Sequence, residues 1–480
     1  MHARWIRVSG GSAEGDLSCV VGHRLARVDG ATDGIYAGWH WDGQALTIEQ
    51  DRYGMYPLFE WHTADARCVS TDLARLIELG APADLDFDAL AVFLRVGFFV
   101  GSDTPFLAIR AVLPPDPPRA LHRVSRDAAV DGFIDLFQTA IARRLPSSPY
   151  VLPLSGGRDS RHILFALHQA ERPPSACVTV RHFPPRSNSD ELVAGEVCSR
   201  LGISHEVIRQ DSNRAHVERR KNAATHSCSD EHAQFVVLSD HLRRRTLETY
   251  DGIAGDVLSQ SSYLTPVSHA FFERGDIEGF AAFLLDGYGT MMSDGALARL
   301  LAPHLYAEVP RERAIARLCR ELNRHVNATN PTSSFFLANR TRREVALSPY
   351  GLMRDVVVYA PYLDADVYDF LAGLPASVLM DRTLHTEAIS RAWPQFAGVP
   401  YEERGATTRD RTSGRTLASA LATIVRRLGT GWIRPIGLLP GIAATVVDGK
   451  AERLWAAPLL FYLDHVAELT STGSAGIEPR

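Results

Sequence analysis

Ten residues constrain this chain more than any others: Val151-Leu152-Pro153-Leu154-Ser155-Gly156-Gly157-Arg158-Asp159-Ser160. An apolar run stops at a Ser-Gly-Gly turn, and apolar residues then recur at Ile163, Leu164 and Leu167 with helical spacing. The pattern predicts strand, tight loop, helix. Two glycines let the backbone bend with its amides turned inward, and the N-terminus of the following helix adds a positive dipole end. Together they make a site for a phosphate or pyrophosphate. Ser155 and Ser160 can donate hydroxyls to the same anion. A carboxylate beside bound phosphate is repelled unless a divalent cation bridges the two, so Asp159 implies Mg2+. Pro153 removes a backbone donor from what reads as a central strand, which predicts a bulge there.

The loop lacks the lysine and the glycine spacing of GxxxxGK[ST]. It resembles instead the SGGxDS pyrophosphate loop of the N-type ATP pyrophosphatases, which cut ATP between the α and β phosphates and transfer AMP. A second stretch, Tyr250-Asp251-Gly252-Ile253-Ala254-Gly255-Asp256-Val257, resembles the GxGxDE loop of the asparagine synthetases in that superfamily. The resemblance implies a site for ATP formed by Leu154, Ser155, Gly156, Gly157, Asp159 and Ser160 with Gly252 and Gly255. It also implies that Asp159 and Asp256 hold Mg2+. Two positions depart from the family pattern. Ile253 stands where asparagine synthetases carry a Glu and β-lactam synthetases a Tyr, and Val257 replaces the usual Glu. The loop thus keeps its metal ligand and loses its proton-handling groups, so the amine must arrive neutral or be deprotonated by the substrate or by another residue, such as Tyr250 or Tyr359.

At 480 residues and 45% hydrophobic content the chain is globular and too long for one ordinary core, so two domains are expected. A net charge of −5 gives no basic footprint for nucleic acid and no polybasic membrane patch. Lysine occurs only at Lys221 and Lys450, so a cation in a site is expected to be arginine. The cysteines, Cys19, Cys68, Cys177, Cys198, Cys228 and Cys319, show no CxxC spacing and read as reduced thiols. The N-terminus opens on no apolar signal region, and Arg434, Pro435 and Pro440 interrupt the most apolar segment, Trp432 to Val447. The chain reads as soluble and cytoplasmic.

Up to about residue 125 the pattern is short strands, at Ile6 to Val8, Ser18 to Val21, Ile35 to Trp39, Leu46 to Glu49, Leu58 to Trp61 and Cys68 to Ser70. Helices are expected at Asp72 to Leu79 and Phe87 to Gly97. Asp51-Arg52-Tyr53-Gly54-Met55-Tyr56-Pro57, Ser70-Thr71-Asp72-Leu73 and Leu113-Pro114-Pro115 resemble, in order, the glutaminase-type domain of asparagine synthetases. That chemistry requires an N-terminal cysteine whose own amine is the base. Position 2 is His2 and Cys19 is internal, so the domain reads as a degenerate scaffold.

A helix at Val130 to Leu145 and a joint at Pro146-Ser147-Ser148-Pro149 lead into the central loop. Beyond it, a strand at Cys177 to Val180, a helix at Asp190 to Leu201 closed by Gly202, and a strand at Ile203 to Ile208 predict right-handed βαβ units with a site at the strand C-termini. By the same resemblance Thr179 and Val180 hold adenine. His205 is either a satisfied strand-start histidine or a functional one. A polar helix is expected at Asp240 to Leu247. Leu363-Asp364, Leu374-Pro375 and Thr386 to Ala392 resemble the family's closing segments, and Val399-Pro400-Tyr401-Glu402-Glu403-Arg404 its "LP…R.K" loop. The family's lysine has no counterpart. Arg404, Arg409 or Arg411 supplies the charge, or the three form a solvated run. His226, Cys228 and His232 lack a fourth ligand and read as an ordinary helix or loop. Helices at Leu417 to Leu428 and Lys450 to Leu469 precede a disordered tail from Ser471 to Arg480.

The expected fold is α/β. A degenerate glutaminase-like αββα domain of the N-terminal-nucleophile (Ntn) type, residues 1–125, precedes an adenine nucleotide α-hydrolase-like, parallel-sheet synthetase domain, residues 126–480. The resemblance implies an asparagine synthase-like, AMP-forming carbon–nitrogen ligase without glutaminase activity, with Asp159, Asp256 and Arg404 in catalysis. Its substrate would be a small molecule or peptide, and macrolactam closure in natural-product biosynthesis, as in lasso peptide cyclases, is favoured. That role would bring a leader-peptide-binding protein and a protease as partners. Ammonia-dependent amidation and a nucleotide-binding pseudoenzyme are the alternatives.

Overall fold

The computed structural model describes residues 3–27, 29–115, 121–183, 187–287, 292–402 and 456–475, with isolated positions at 418, 432–434, 437, 443 and 447. In chain order the first elements are β1 (Trp5–Ser9), β2 (Ser12–Gly15), β3 (Ser18–Ala26), β4 (Thr32–Trp41), β5 (Leu46–Gln50), β6 (Phe59–His62) and β7 (Ala66–Ser70). Helices α1 (Leu73–Glu78) and α2 (Phe87–Val96) follow, then β8 (Ile109–Ala111). They make an antiparallel sheet ordered β2-β1-β7-β6-β8 and a second ordered β3-β4-β5. Ile35, Ala37 and Trp39 of β4 are buried, and alternate residues of the strand thus feed one core. The carboxylates of Asp72 and Asp86 cap α1 and α2, and Gly97, at φ 83°, ends α2 in the left-handed conformation that glycine allows. The six expected strands are present. Two more, β2 and β8, went unanticipated because Ser12–Gly15 has no β-branched or aromatic residue and Ile109–Ala111 is only three residues long.

The rest of the chain alternates. Helix α3 (Arg126–Ala142) leads to β9 (Val151–Pro153), α4 (Asp159–Gln169), β10 (Ala176–Arg181), α5 (Ser189–Leu201) and β11 (His205–Arg209). Next come α6 (Arg214–Ala224), α7 (Phe235–Leu242), β12 (Glu248–Tyr250) and α8 (Gly255–Leu258), and much later β13 (Val357–Tyr359). Strands β11-β10-β9 form a parallel sheet, and β12 and β13 pair in parallel. The Thr249 hydroxyl of β12 donates to the Val151 carbonyl of β9 at 2.7 Å, which sets the two groups of strands side by side. The fold is thus mixed α/β with both antiparallel and parallel sheets.

No bulge forms at Pro153. Ala176, Cys177 and Val178 pair in unbroken register with Val151, Leu152 and Pro153, and the Leu154 amide donates to Val178 at 2.9 Å. Amides of alternate residues point to opposite neighbours. The position without an N–H therefore faces β12 and leaves the ladder to β10 intact. The polar helix expected at Asp240 to Leu247 is instead α7, which begins at Phe235 and ends at Leu242, so that Glu248 can enter β12. The expected disordered tail is also corrected in part. The last helix, Ala456–Ala475, runs through Ser471, while residues 476–480 and the segment Leu417 to Leu428 lie outside the described residues, Ala418 apart.

One continuous core cluster runs from Ile6 to Val466. Across it, arginines from the first part of the chain converge on one acidic segment. Arg27 pairs with Asp366 at 2.9 Å and Arg52 with Asp369 at 2.7 Å. The buried Arg144 bridges Asp33 at 2.8 Å and Asp364 at 2.6 Å. Burial makes this last triad sensitive to loss of any member, because an unpaired charge would remain in the interior.

Candidate active site

The predicted loop closes on itself through its hydroxyls. Ser160 Oγ accepts from the Ser155 amide at 3.1 Å and lies 3.2 Å from Ser155 Oγ, which accepts from the Gly157 amide at 3.2 Å. The Gly156 amide does not point inward as expected. It donates to Asp190 Oδ1 at 2.7 Å, an N-terminal residue of α5. A short acceptor two elements away captures the amide that the sequence assigns to a phosphate.

Asp159, the first residue of α4, meets the second loop at very close range. A Cβ on Gly252 would stand 2.6 Å from Asp159 Cβ, and one on Gly255 would stand 2.6 Å from Asp159 Oδ1. Both positions require glycine for this approach rather than for backbone freedom. Ala254 sits between them at φ 71°, a left-handed conformation costing roughly 1–2 kcal/mol for a residue with a Cβ. Asp159 Oδ1 accepts from Gln260 Nε2 at 3.1 Å, and His385 Nδ1 lies 3.3 Å from the same oxygen. His385 is fully buried and also lies 2.9 Å from Ser259 Oγ and 3.0 Å from His162 Nδ1. Burial holds its pKa well below the ordinary histidine value.

Asp159 and Asp256 line one cavity of ≈ 380 Å³ at the C-terminal ends of β9, β10 and β12, together with Leu154, Ser155, Ser160, Thr179, Val180 and Gly252. Gly156, Gly157 and Gly255 lie outside its lining. The Thr179 hydroxyl donates to the Leu154 carbonyl at 2.7 Å and lies 2.8 Å from His205 Nε2, which donates to it. His205 thus has a hydrogen-bond partner at Nε2.

The electrostatics of the cavity bear on what it can hold. Its lining includes the carboxylates of Asp159, Asp190, Asp251, Asp256 and Glu402, and no lysine or arginine among the described residues. A polyphosphate would be repelled from such a wall without a divalent cation. Asp159 and Asp256 fit Mg2+, which keeps several waters and binds through one or two carboxylates plus phosphate oxygens. Among the described residues no group of three or more His, Cys, Asp or Glu side chains is arranged for a metal. The side chains of His226, Cys228 and His232 have other partners. His232 pairs with Glu344 at 2.8 Å, His226 Nδ1 lies 3.7 Å from Asp72, and the Cys228 thiol donates to the His226 carbonyl at 3.4 Å.

The departures in the second loop have different surroundings. Ile253 is buried and lines the cavity, whereas Val257 faces a smaller cavity of ≈ 70 Å³ behind α8. Neither expected tyrosine can serve. The Tyr250 hydroxyl donates to the Arg144 carbonyl and that of Tyr359 to Glu248 Oε2 at 3.2 Å, and burial raises the pKa of both. Arg404, Arg409 and Arg411 lie outside the described residues.

Two arginines that the motif leaves unspecified fasten the site. The buried Arg161 donates to the carbonyls of Val399 at 3.0 Å and Pro400 at 2.6 Å, and the Glu402 amide donates to Gly156 O at 3.0 Å. Arg158 and Arg161 both lie over the Tyr401 ring, 4.3 Å and 4.0 Å from its centroid. In the first sheets Cys19 is buried in β3, and burial pushes its thiol up to about 11.

No protein-family model matches the chain. None of the curated proteins compared with it matches either.

Proposed function

We propose that the chain is an asparagine synthase-like ligase that adenylates a substrate carboxylate, releasing pyrophosphate, and couples the acyl group to an amine, releasing AMP. The observation that carries this reading is the meeting of Asp159 and Asp256, from two glycine loops, in one ≈ 380 Å³ cavity at the ends of parallel strands. ATP is a substrate in this account. Its adenine would lie against Thr179 and Val180, and its phosphates near Ser155 and Ser160. Mg2+ held by Asp159 and Asp256 would neutralise phosphate charge. Ser155 and Ser160 would orient the pyrophosphate, and Arg404 would supply positive charge in catalysis. The finer fold belongs to the same proposal: a degenerate Ntn-type domain followed by an adenine nucleotide α-hydrolase-like domain, divided near residue 125.

Macrolactam formation on a peptide, lasso peptide cyclase-like, is the favoured role, with a leader-peptide-binding protein and a protease as its partners. The apolar Ile253 at the cavity wall supports it over ammonia-dependent asparagine synthesis. A second reading, a nucleotide-binding pseudoenzyme, draws on the Gly156 amide being taken by Asp190. Pyrophosphate–ATP exchange separates the two, since only the ligase reverses adenylation.

A further inference from the structure

The proposed reaction needs a group to take a proton from the attacking nitrogen, and Ile253 cannot. Among the described residues, the ionisable groups that line the cavity are Asp159, Asp190, Asp251, Asp256, Glu402, His182 and Tyr250. Asp159 and Asp256 are assigned to the metal. Asp190 holds the Gly156 amide through Oδ1 and lies 3.5 Å from His182 through Oδ2, which places both groups beside the phosphate loop. Glu402 belongs to the segment that bonds Gly156 O. The Tyr250 hydroxyl is turned to the Arg144 carbonyl.

Asp251 has a different setting. It follows β12 directly, its own amide donates to the Tyr359 carbonyl at 2.9 Å, and its Oδ1 accepts from the Ile253 amide at 2.8 Å. The residue is thus held at its main chain and at one carboxylate oxygen. It is half-buried, and the cavity is where it is accessible. Among the described residues, ionisable groups near enough to interact with it electrostatically include His232, which is paired with Glu344, and the buried Tyr350. Gln234, Phe235, Thr341 and Val345 also line the cavity. Among the described lining residues Asp251 is a carboxylate that neither the metal assignment nor the phosphate loop takes up, and it suits the nitrogen end of a substrate.

We infer that Asp251 is the general base of the amide-forming step, an inference that rests on the ligase reading. The Asp251 carboxylate takes one proton from the substrate ammonium. The neutral nitrogen then attacks the acyl carbon of the acyl-adenylate. The C–N bond forms, the bond from acyl carbon to phosphate oxygen breaks with its electron pair leaving on AMP, and the second nitrogen proton departs with the leaving phosphate. Burial raises the Asp251 carboxyl above the ordinary carboxylate value, against the opposing effect of the Ile253 amide and His232. That direction brings it nearer the operating pH of a base.

Asp251→Asn keeps an acceptor for the Ile253 amide and removes the base. The experiment compares it with the unaltered protein in three assays with Mg2+ and ATP. The probes are peptides that each carry a side-chain carboxylate and a free N-terminal amine. The assays are pyrophosphate–ATP exchange, amide formation, and trapping by hydroxylamine, a nucleophile that is uncharged at neutral pH. Exchange and hydroxamate formation should stay within about twofold, while amide formation at pH 7 falls at least about a hundredfold. The variant's remaining amide formation should rise with pH as the free amine accumulates. Amide formation unchanged in the variant would overturn the inference. So would a parallel loss of exchange with a raised KM for ATP, which would assign the carboxylate to the nucleotide. Absence of exchange in the unaltered protein with every probe would overturn the ligase reading, and this inference with it.

Discussion

The Cβ that Gly252 lacks would stand 2.6 Å from the Cβ of Asp159, well inside any contact that two carbon atoms can hold. This approach, repeated at Gly255 against Asp159 Oδ1, sets where the first proposed metal ligand sits relative to the loop of the second. Gly252→Ala or Gly255→Ala must therefore displace Asp159. A shift of about 1 Å at a reacting centre costs about a hundredfold in rate. Each variant should lose about that much exchange activity and still unfold cooperatively. Gly398→Ala, with nothing within 4 Å of the added Cβ, should behave as the unaltered protein does.

Arg144 gives a stability prediction. It is 2% exposed and neutralises Asp33 and Asp364, themselves nearly inaccessible. Truncation to Ala removes the ion pair of the buried Asp33, leaves Asp364 with Arg143 alone at 3.1 Å, and should cost about 3–5 kcal/mol. Denaturant unfolding should show a lower midpoint, while Arg75→Ala, on a largely exposed pair with Glu78, changes it by less than about 1 kcal/mol.

The pH dependence has a specific contributor in His23. Burial, with Arg144 nearby, lowers its pKa from 6.5 to about 4, and its ring meets Tyr359 edge-on with centroids 5.0 Å apart. The unfolded chain binds a proton at His23 below pH 6.5 and the folded chain does not until about pH 4. Stability is thus full above the unfolded value and is lost as pH falls through that window. His23→Phe keeps the ring and removes the proton. Its unfolding free energy should fall less between pH 6.5 and 4, by about 2 kcal/mol.

The parts of the site carried by local sequence were legible. Asp159 and Asp256 sit in short glycine-bounded stretches whose geometry follows from a few neighbouring residues, and the structure brings both to one cavity. Most strands followed from alternation, and β2 escaped because Ser12–Gly15 lacks the residues that mark a strand. What failed depended on distant partners. Asp190 captures the Gly156 amide from 34 positions away, and Arg144 takes the Tyr250 hydroxyl from 106 positions away. His385, more than two hundred positions beyond Asp159, reaches its carboxylate only through tertiary packing. No local spacing encodes such contacts. Pro153 misled for a related reason, since whether its missing donor matters depends on which neighbouring strand it faces.

The central claim is that Asp159 and Asp256 support adenylation, and pyrophosphate–ATP exchange measures that step alone. With Mg2+ and the peptide probes, the unaltered protein should move labelled pyrophosphate into ATP only when a carboxylate is present. Asp159→Asn and Asp256→Ala should each abolish the exchange, and turnover should yield AMP and pyrophosphate. Exchange that persists in both variants, or turnover that releases ADP and phosphate, would contradict the account.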